Sequence, residues 1–392
     1  MKRLLPLPIW AIGFAVFAML FGATNLLFPL KVGATAGQHV VPALLGFLLT
    51  AVFLPFIGLL TMVLFDGNYQ EYFQRIGKIP GKFLILCCIL ILGPFLAIPR
   101  SVALSYQMVH PFMPSMTLSL FSIIFLVSAF IIASQERFIL PILAYVVSPF
   151  LFLLLGAVLI KGFMTPSVGA IVPVEAGRVF MTNVKYGFST LDLLATIFFA
   201  ALMLTLLKQV VKYVPRVHIT NFTWYCLLAG GVASLLLGIV YCGLIYLGWY
   251  HAAELQGVPE ELLFNVLAIR LFGEWAWLVM VSVLVTVILS TVMALLVITA
   301  YYVDVDVFKS KLGYIPSLLL MTLVSFFSSY WGMQHFARFT YGPVALILYP
   351  VVIMLTLCNL AYKVAGIRAV KIPVALTFIV SVCVCSYFMF LR

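Results

Sequence analysis

Two short polar clusters interrupt long apolar runs in this chain of 392 residues, and each could bind a small charged molecule. The first covers residues 21–25 (FGATN), and the second covers residues 186–190 (YGFST), just ahead of Asp192. A helix that breaks at such a cluster exposes N–H groups that attract a carboxylate and carbonyl oxygens that suit Na⁺ or an ammonium group. A pair of breaks could hold a zwitterion beside a cation, so the expected ligand is an amino acid. The alternative is that glycine and small polar residues serve close helix packing.

Two adjacent hydroxyl groups offer further ligands for a cation. Ser290 and Thr291 stand together in an otherwise apolar run, and hard cations prefer oxygen ligands. The alternative is that both hydroxyls bond the carbonyls of the preceding helical turn.

Arg100 and Asp192 are the two ionisable side chains that fall well inside the apolar runs. Charged groups are costly inside a bilayer and are functional candidates by default, so both are candidate gate or coupling residues. They could pair with each other, either as a structural buried pair or as a gate or substrate contact.

Enzyme chemistry lacks the residues it needs. The chain has no phosphate-binding glycine loop, no HExxH or GxSxG motif and no clustered catalytic carboxylates, and its five histidines lack the spacing of paired metal ligands. We therefore expect neither an enzyme nor a transition-metal site.

The composition indicates that these residues lie in a membrane protein. Apolar residues make up 65% of the chain and charged residues 8%, whereas soluble proteins are nearer ~25% charged. Since a bilayer-spanning helix needs roughly 20 apolar residues, we predict an all-α polytopic protein with one transmembrane domain over residues 1–392. The apolar runs predict eleven spans, at about 8–30, 38–64, 83–110, 117–134, 138–161, 176–207, 219–248, 274–302, 313–331, 341–361 and 372–391.

The positive charge follows the loops between these spans. With the amino terminus placed inside, fourteen of the 22 Lys and Arg residues lie on the inner side, seven lie on the outer side, and Arg100 lies within a span. This bias predicts a cytoplasmic amino terminus and an outside carboxy terminus. It also argues against nucleic acid as a partner, so the expected partners are the lipid bilayer and a small molecule, with no obligatory protein partner.

The two polar clusters occupy equivalent places in two blocks of five spans. Gly22 and Gly187 interrupt the first and the sixth span, and an odd number of spans per block makes the second block enter the membrane from the opposite side. This pattern predicts an inverted repeat, the arrangement of many secondary transporters. Repeat 1 would cover about 8–161 and repeat 2 about 176–361, followed by an extra helix at about 372–391.

Three further features bear on the architecture. The pairs Gly93-Pro94 and Ile98-Pro99 should bend the third span. The loop 66–82 predicts an amphipathic helix from Tyr69 to Ile76, and the loop 250–273 predicts a helix over the outer mouth of the protein.

Five segments together resemble the branched-chain amino acid:cation symporter family, the LIVCS carriers of bacteria. They are MLFGATNLLFPL, GFLLTAVFLPFIGLLTM, DGNYQEYFQRIGKIPG, GPFLAIPRSVALSY and YGFSTLDLLATIFF, and they occur in order at family-like spacing. The resemblance is dense over residues 10–210 and looser afterwards. It implies a fold like that of the leucine transporter, a bacterial inner-membrane location, and uptake of leucine, isoleucine and valine with Na⁺ or, less often, H⁺ as the coupling ion and no other cofactor.

The resemblance also implies roles for the clustered residues. The backbone around Gly22, Ala23 and Thr24 would receive the substrate carboxylate, with Asn25 beside it. The second cluster would wrap the amino group and the aliphatic side chain, through Gly187, Phe188, Ser189 and Thr190. A cation would be held by the carbonyls of Ala18, Phe21 and Val287 and by the hydroxyls of Ser290 and Thr291. Where many members have a second glycine in the first span, this chain has Thr24.

The leading hypothesis is therefore Na⁺-coupled import of branched-chain amino acids by alternating access. One alternative is an H⁺-coupled amino-acid symporter with Asp192 as the proton carrier. Another is a non-transporting nutrient sensor or a channel built on the same fold.

Overall fold

The regular secondary structure of the described residues is helical. A computed structural model describes residues 8–167, 175–212, 222–331 and 340–390, and no strand occurs within these ranges. The principal helices are α1 (Ile9–Leu20), α2 (Ala23–Thr35), α3 (Val40–Leu64), α4 (Tyr69–Gln74), α5 (Lys78–Leu92), α6 (Ala97–Val109), α7 (Leu118–Ala133), α8 (Ile139–Met164), α9 (Ala176–Phe188), α10 (Asp192–Lys212), α11 (Phe222–Tyr250), α12 (Leu263–Phe272), α13 (Ala276–Tyr301), α14 (Tyr314–Ser328), α15 (Tyr349–Ala365) and α16 (Lys371–Phe390).

The lengths and composition of these helices are those of a multi-pass membrane protein. Six helical segments of the described chain are long and apolar enough to cross a bilayer, and two bent helix pairs bring the number to eight if each pair is one span. Three shorter apolar helices accompany them, at Leu118–Ala133, Tyr314–Ser328 and Lys371–Tyr387.

The two predicted interruptions are confirmed as breaks between helices. The axes of α1 and α2 differ by 77° across Phe21 and Gly22, and those of α9 and α10 differ by 40° across residues 189–191. Both unwound segments are shorter than the polar clusters that predicted them. Residues 23–25 already belong to α2 and residues 186–188 still belong to α9, because only a few backbone groups need to leave the hydrogen-bond ladder to redirect a helix.

Proline explains most other irregularities of the spans. The third span breaks between Leu92 and Ala97, as predicted, and Pro99 lies in the first turn of α6, where its missing N–H costs little. Widened π-helical turns end two residues before Pro55, Pro149 and Pro350. A proline ring clashes with the carbonyl four residues earlier, and a wider turn relieves that clash.

Each of the two broken spans packs along another span. Both α1 and α2 pack along α11, while α9 and α10 pack along α3. Helices α2 and α11 approach closely where Gly33 has no side chain. A Cβ atom at this position would lie only 2.0 Å from the carbonyl oxygen of Ile245. Nine of the twelve residues of α1 are buried, so this helix is surrounded by protein along most of its length.

The predicted loop helix at Tyr69 is confirmed as α4, which ends at Gln74, two residues before the predicted end at Ile76. Its Tyr72 hydroxyl donates to the Thr356 hydroxyl at 2.6 Å, and the Asn359 amide donates to the Tyr72 carbonyl at 3.0 Å. The Arg75 guanidinium donates to Asn359 at 3.0 Å and lies 3.8 Å from the centre of the Tyr362 ring. We call these five residues the Tyr72 cluster; it fastens α4 to α15.

A second contact fastens α4 to the end of α13. The Tyr69 hydroxyl and the Gln70 amide both donate to the Asp306 carboxylate, in the wide turn that follows α13. Burial raises the pKa of the Tyr69 hydroxyl, and the hydrogen bond to Asp306 and its negative charge add to that rise. The phenol therefore remains a neutral donor throughout the neutral pH range.

The predicted helix in loop 250–273 is confirmed as α12, preceded by short helical turns. Before it, the imidazole of His251 is fully buried, with one nitrogen 3.0 Å from the Glu254 carboxylate and the other 3.0 Å from the Gly162 carbonyl. Glu254 also accepts from Arg270 at 3.1 Å. These contacts tie the ends of α8, α11 and α12 together.

Candidate functional site

The breaks of the two interrupted spans meet through a pair of buried side chains. Asn25 lies in the first turn of α2 and Asp192 is the first residue of α10. The Asn25 amide nitrogen lies 3.3 Å and 3.1 Å from the two Asp192 carboxylate oxygens, and 2.8 Å from the Leu20 carbonyl at the end of α1. Asn25 therefore connects both halves of the first span to the second half of the sixth.

Two tyrosines from other spans complete this polar cluster. The hydroxyl of Tyr241, on α11, donates to Asp192 at 3.3 Å, and the hydroxyl of Tyr349, on α15, accepts from the backbone N–H of Leu193 at 3.3 Å. Both tyrosines are fully buried. Within the described residues, no Lys, Arg or His forms a salt bridge with Asp192, so its hydrogen-bond donors there are neutral groups.

The break between α9 and α10 is a tight and strained turn. The Thr190 hydroxyl donates to the Gly187 carbonyl at 2.8 Å, and the Ser189 hydroxyl donates to the Lys185 carbonyl at 2.9 Å. Leu191 has a φ of 59°, in the left-handed region, which costs a residue with a side chain roughly 1–2 kcal/mol. Such strain is concentrated at functional sites, where the surrounding structure maintains it.

Gly187 also serves the packing of the sixth span against the second. A Cβ atom at this position would lie 2.3 Å from the Thr50 hydroxyl and 2.6 Å from the Phe47 carbonyl oxygen, both on α3. The ring of Phe188 packs edge-on against Tyr349, with 4.6 Å between ring centres. Of the second predicted set, Thr190 contacts Asp192 and Phe188 contacts Tyr349, whereas the Ser189 hydroxyl bonds its own helix and Gly187 faces α3.

The five oxygen atoms predicted to hold a cation come together between α1 and α13. The Ser290 hydroxyl lies 3.0 Å from the Ala18 carbonyl and 2.9 Å from the Val287 carbonyl. The Thr291 hydroxyl lies 3.3 Å from the Phe21 carbonyl and 3.3 Å from the same Val287 carbonyl. Each hydroxyl bonds a carbonyl of its own helix, as the alternative interpretation predicts, and also reaches a carbonyl of α1, while cation binding stays a prediction. We call these five residues the α1–α13 oxygen cluster.

Comparison with known proteins decides the family. The family described as branched-chain amino acid transport proteins matches residues 8–389. This chain belongs to that family. A Staphylococcus saprophyticus protein named as a branched-chain amino acid carrier is 28% identical over 400 residues, covering 95% of this chain and 86% of the relative. A Staphylococcus aureus protein of the same name is also 28% identical, covering 95% of this chain and 87% of the relative.

Two solved transporter structures share the fold of the carrier. One is Mhp1, a nucleobase-cation-symport-1 family transporter in a closed conformation, with a TM-score of 0.51, 16% identity, and coverage of 97% of this chain and 94% of that one. The other is a manganese transporter of Eremococcus coleocola, with a TM-score of 0.55, 14% identity, and coverage of 96% and 84%. The relatives are transport proteins, so the chain is a carrier and not an enzyme.

The possible pairing of Arg100 with Asp192 is not observed among the described residues, where Asp192 accepts from Asn25 and Tyr241. Asp192 is held at the junction of the broken spans, whereas α6, which carries Arg100, packs against the helical turn Glu260–Leu262. Arg100 lies close enough to Glu260 for the two charges to interact. The sequence placed both residues inside spans but gave no information about their relative depth.

Sequence reasoning missed Tyr241 and Tyr349, two residues of the carrier that contact the α10 terminus. Each stands within an apolar run, where a phenolic hydroxyl needs a hydrogen-bond partner. A tyrosine in the middle of a span was therefore the signal that could have found them.

Proposed function

We propose that this carrier imports leucine, isoleucine and valine together with Na⁺ by alternating access. The observation that carries this proposal is the α1–α13 oxygen cluster, which joins the broken first span to α13. Carbonyl and hydroxyl oxygens are ligands that a hard monovalent cation accepts, and a hydroxyl can turn its proton away to coordinate one. Na⁺ bound there would hold α1 against α13 and so favour one conformation of the carrier over the other.

The substrate carboxylate would bind at the start of α2. Its capping residue, Gly22, offers no side chain to the first N–H groups of the helix. The N–H groups of Ala23 and Thr24, together with the positive end of the helix dipole, suit a carboxylate. At the start of α10, by contrast, the hydroxyls of Thr190 and Tyr349 already accept from the N–H groups of Asp192 and Leu193.

The proposed architecture is an inverted repeat of five spans, covering about 8–161 and 176–361, with α16 as an extra span. Two equivalent packings support it. The first span packs along the seventh, α11, and the sixth span packs along the second, α3, so the first span of each block contacts the second span of the other block. The wide turns before Pro149 and Pro350 also occupy the fifth span of each block. We propose that the three shorter apolar helices are spans as well, which would make eleven together with the eight that the described residues allow, and that the α4 side of the protein faces the cytoplasm of a bacterial cell.

Uptake of radiolabelled leucine into proteoliposomes tests the proposal. An inward Na⁺ gradient should drive accumulation, because each Na⁺ that enters contributes about 2.3 kcal/mol per 100 mV of membrane potential in addition to its own gradient. Uptake that is indifferent to both Na⁺ and pH would contradict symport.

A second candidate is H⁺-coupled symport, which the neutral surroundings of the buried Asp192 carboxylate favour. In that case Asp192→Asn abolishes accumulation driven by a pH gradient while exchange of leucine persists. Persistence of Na⁺-driven accumulation in Asp192→Asn argues against it. Binding of leucine without uptake would indicate a sensor, and conduction that does not saturate would indicate a channel.

A further inference from the structure

We propose that the Asp192 carboxylate binds the ammonium group of the transported amino acid, in exchange for the Asn25 and Tyr241 donors that it accepts from in this structure. The inference rests on the proposed function and assigns the substrate a specific chemical feature, a protonated α-amino group beside a free carboxylate.

The backbone carbonyls near the breaks already have donors. At the end of α1, Ala18, Leu20 and Phe21 accept from the side chains of Ser290, Asn25 and Thr291. At the end of α9, the carbonyls of Lys185 and Gly187 accept from the hydroxyls of Ser189 and Thr190, and that of Phe188 accepts from the Leu191 N–H. Asp192 is the one carboxylate among these groups, and it is the strongest acceptor for an ammonium.

The local structure leaves the Asp192 carboxylate free of a capping role. An acidic residue at the first position of a helix often bonds the N–H groups of its own first turn. Here Thr190 and Tyr349 accept from the first two N–H groups of α10. The carboxylate instead points across to Asn25 in the first turn of α2, with 5% of Asp192 exposed.

This position fits the dimensions of an α-amino acid. The ammonium of the substrate is carried by the carbon next to its carboxyl carbon, so a carboxylate bound at Ala23 and Thr24 places the ammonium within one helical turn of Asn25. The Asn25 amide and the Tyr241 hydroxyl are neutral donors that an ammonium can displace from Asp192. The ammonium adds the attraction between two opposite charges, which the neutral donors cannot supply.

The assignment also balances charge in the buried site. One Na⁺, one zwitterion and the Asp192 carboxylate sum to zero, and a site without net charge avoids the large cost of a buried unpaired ion.

Binding of leucine and of its deaminated analogue, 4-methylpentanoate, tests the inference in the full-length carrier in detergent. In the wild-type protein the analogue should bind about 10- to 100-fold more weakly than leucine, the range expected for a hydrogen bond to a charged group. In Asp192→Asn the dissociation constant for leucine should rise by a similar factor while that for the analogue falls or stays, so the ratio of the two approaches one. Thr205→Ala, on the same helix as Asp192, removes a hydroxyl that donates to the Ala201 carbonyl and should keep the wild-type ratio.

Each outcome bears on a separate claim. A wild-type ratio that persists in Asp192→Asn overturns the assignment, and so does unchanged leucine affinity in that variant. If Asp192→Asn is not recovered as a folded protein, Asp192→Glu provides the second measurement, because its longer side chain should also lower the ratio, and an unchanged ratio there overturns the assignment. A wild-type carrier that binds no leucine at all overturns the proposed function itself.

Discussion

The amide nitrogen of Asn25 lies 3.1 Å from a carboxylate oxygen of Asp192, and this contact joins the two interrupted spans of the carrier. It links the first turn of α2 to the start of α10 through two residues that are 167 positions apart in the sequence. The contact therefore depends on the relative position of the two breaks, and it offers a direct means to perturb the site.

Asn25→Ala should destabilise the unliganded carrier more than the liganded one. The substitution removes a donor to a buried carboxylate, at a cost of about 1–3 kcal/mol in the free energy of unfolding. A bound leucine would replace that donor with its ammonium. Thermal unfolding with and without leucine measures the difference. Thr24→Ala is the matched control, because its hydroxyl donates to Asn25 at 2.9 Å and not to Asp192. Equal destabilisation with and without leucine would contradict the account.

Loss of the two hydroxyls in the α1–α13 oxygen cluster should impair Na⁺ binding more than leucine binding. Ser290→Ala combined with Thr291→Ala should raise the Na⁺ concentration for half-maximal uptake about tenfold or more, with a smaller effect on that for leucine. The control is Thr286→Ala, on the same helix, whose hydroxyl donates to its own Ser282 carbonyl. Equal changes for Na⁺ and leucine would indicate a packing defect instead.

Gly187→Ala should reduce the stability of the carrier. The added methyl group would overlap with Thr50 and the Phe47 carbonyl, and overpacking of this kind typically costs about 1–3 kcal/mol. Gly177→Ala is the control on the same helix, since a methyl group there meets nothing within 4 Å. Melting temperatures of the two variants test this, and equal values would show that close packing against α3 is not the reason for glycine at 187.

The Tyr72 cluster should hold the α4 side of the carrier closed. Asn359→Ala removes one hydrogen bond to Tyr72 and one to Arg75, so amide hydrogens of α4 should exchange with deuterium about 5- to 100-fold faster. Asn359→Asp keeps the acceptor for Arg75 and should have an intermediate effect. Unchanged exchange in residues 69–75 of Asn359→Ala would show that the cluster does not control opening on this side.

The sequence predicted the elements of this protein better than the contacts between them. Apolar length and polar interruptions located the breaks near Gly22 and Ser189, because a membrane helix cannot leave its backbone unsatisfied without a local reason. The packing partner of each side chain was less predictable. Arg100 and Asp192 were a possible pair because their charges are opposite and both lie within spans. Whether two such side chains meet depends on how far each helix is rotated about its axis and how deep each residue lies in the membrane. Neither quantity can be read from a single sequence.

In the candidate site, too, some positions were predictable from the sequence while the partners of other side chains were not. The Ser290 hydroxyl lies next to the Ala18 carbonyl, and the family resemblance had placed these two groups in one site. Tyr241 and Tyr349 belong to apolar spans without a motif, so their position within a span could mark them as candidates but could not identify their partners. Their partners are a carboxylate and a backbone N–H on another helix, which only the assembled structure reveals.

Equilibrium binding of amino acids to the purified carrier, in Na⁺ and in K⁺, tests the central claim most directly. That claim is that the two breaks and the α1–α13 oxygen cluster hold a branched-chain amino acid and Na⁺ together. Leucine, isoleucine and valine should compete for one site and bind about tenfold or more tightly in Na⁺ than in K⁺, while lysine and glutamate should not compete. Equal affinity for leucine in the two salts, or equal binding of the charged amino acids, would contradict it.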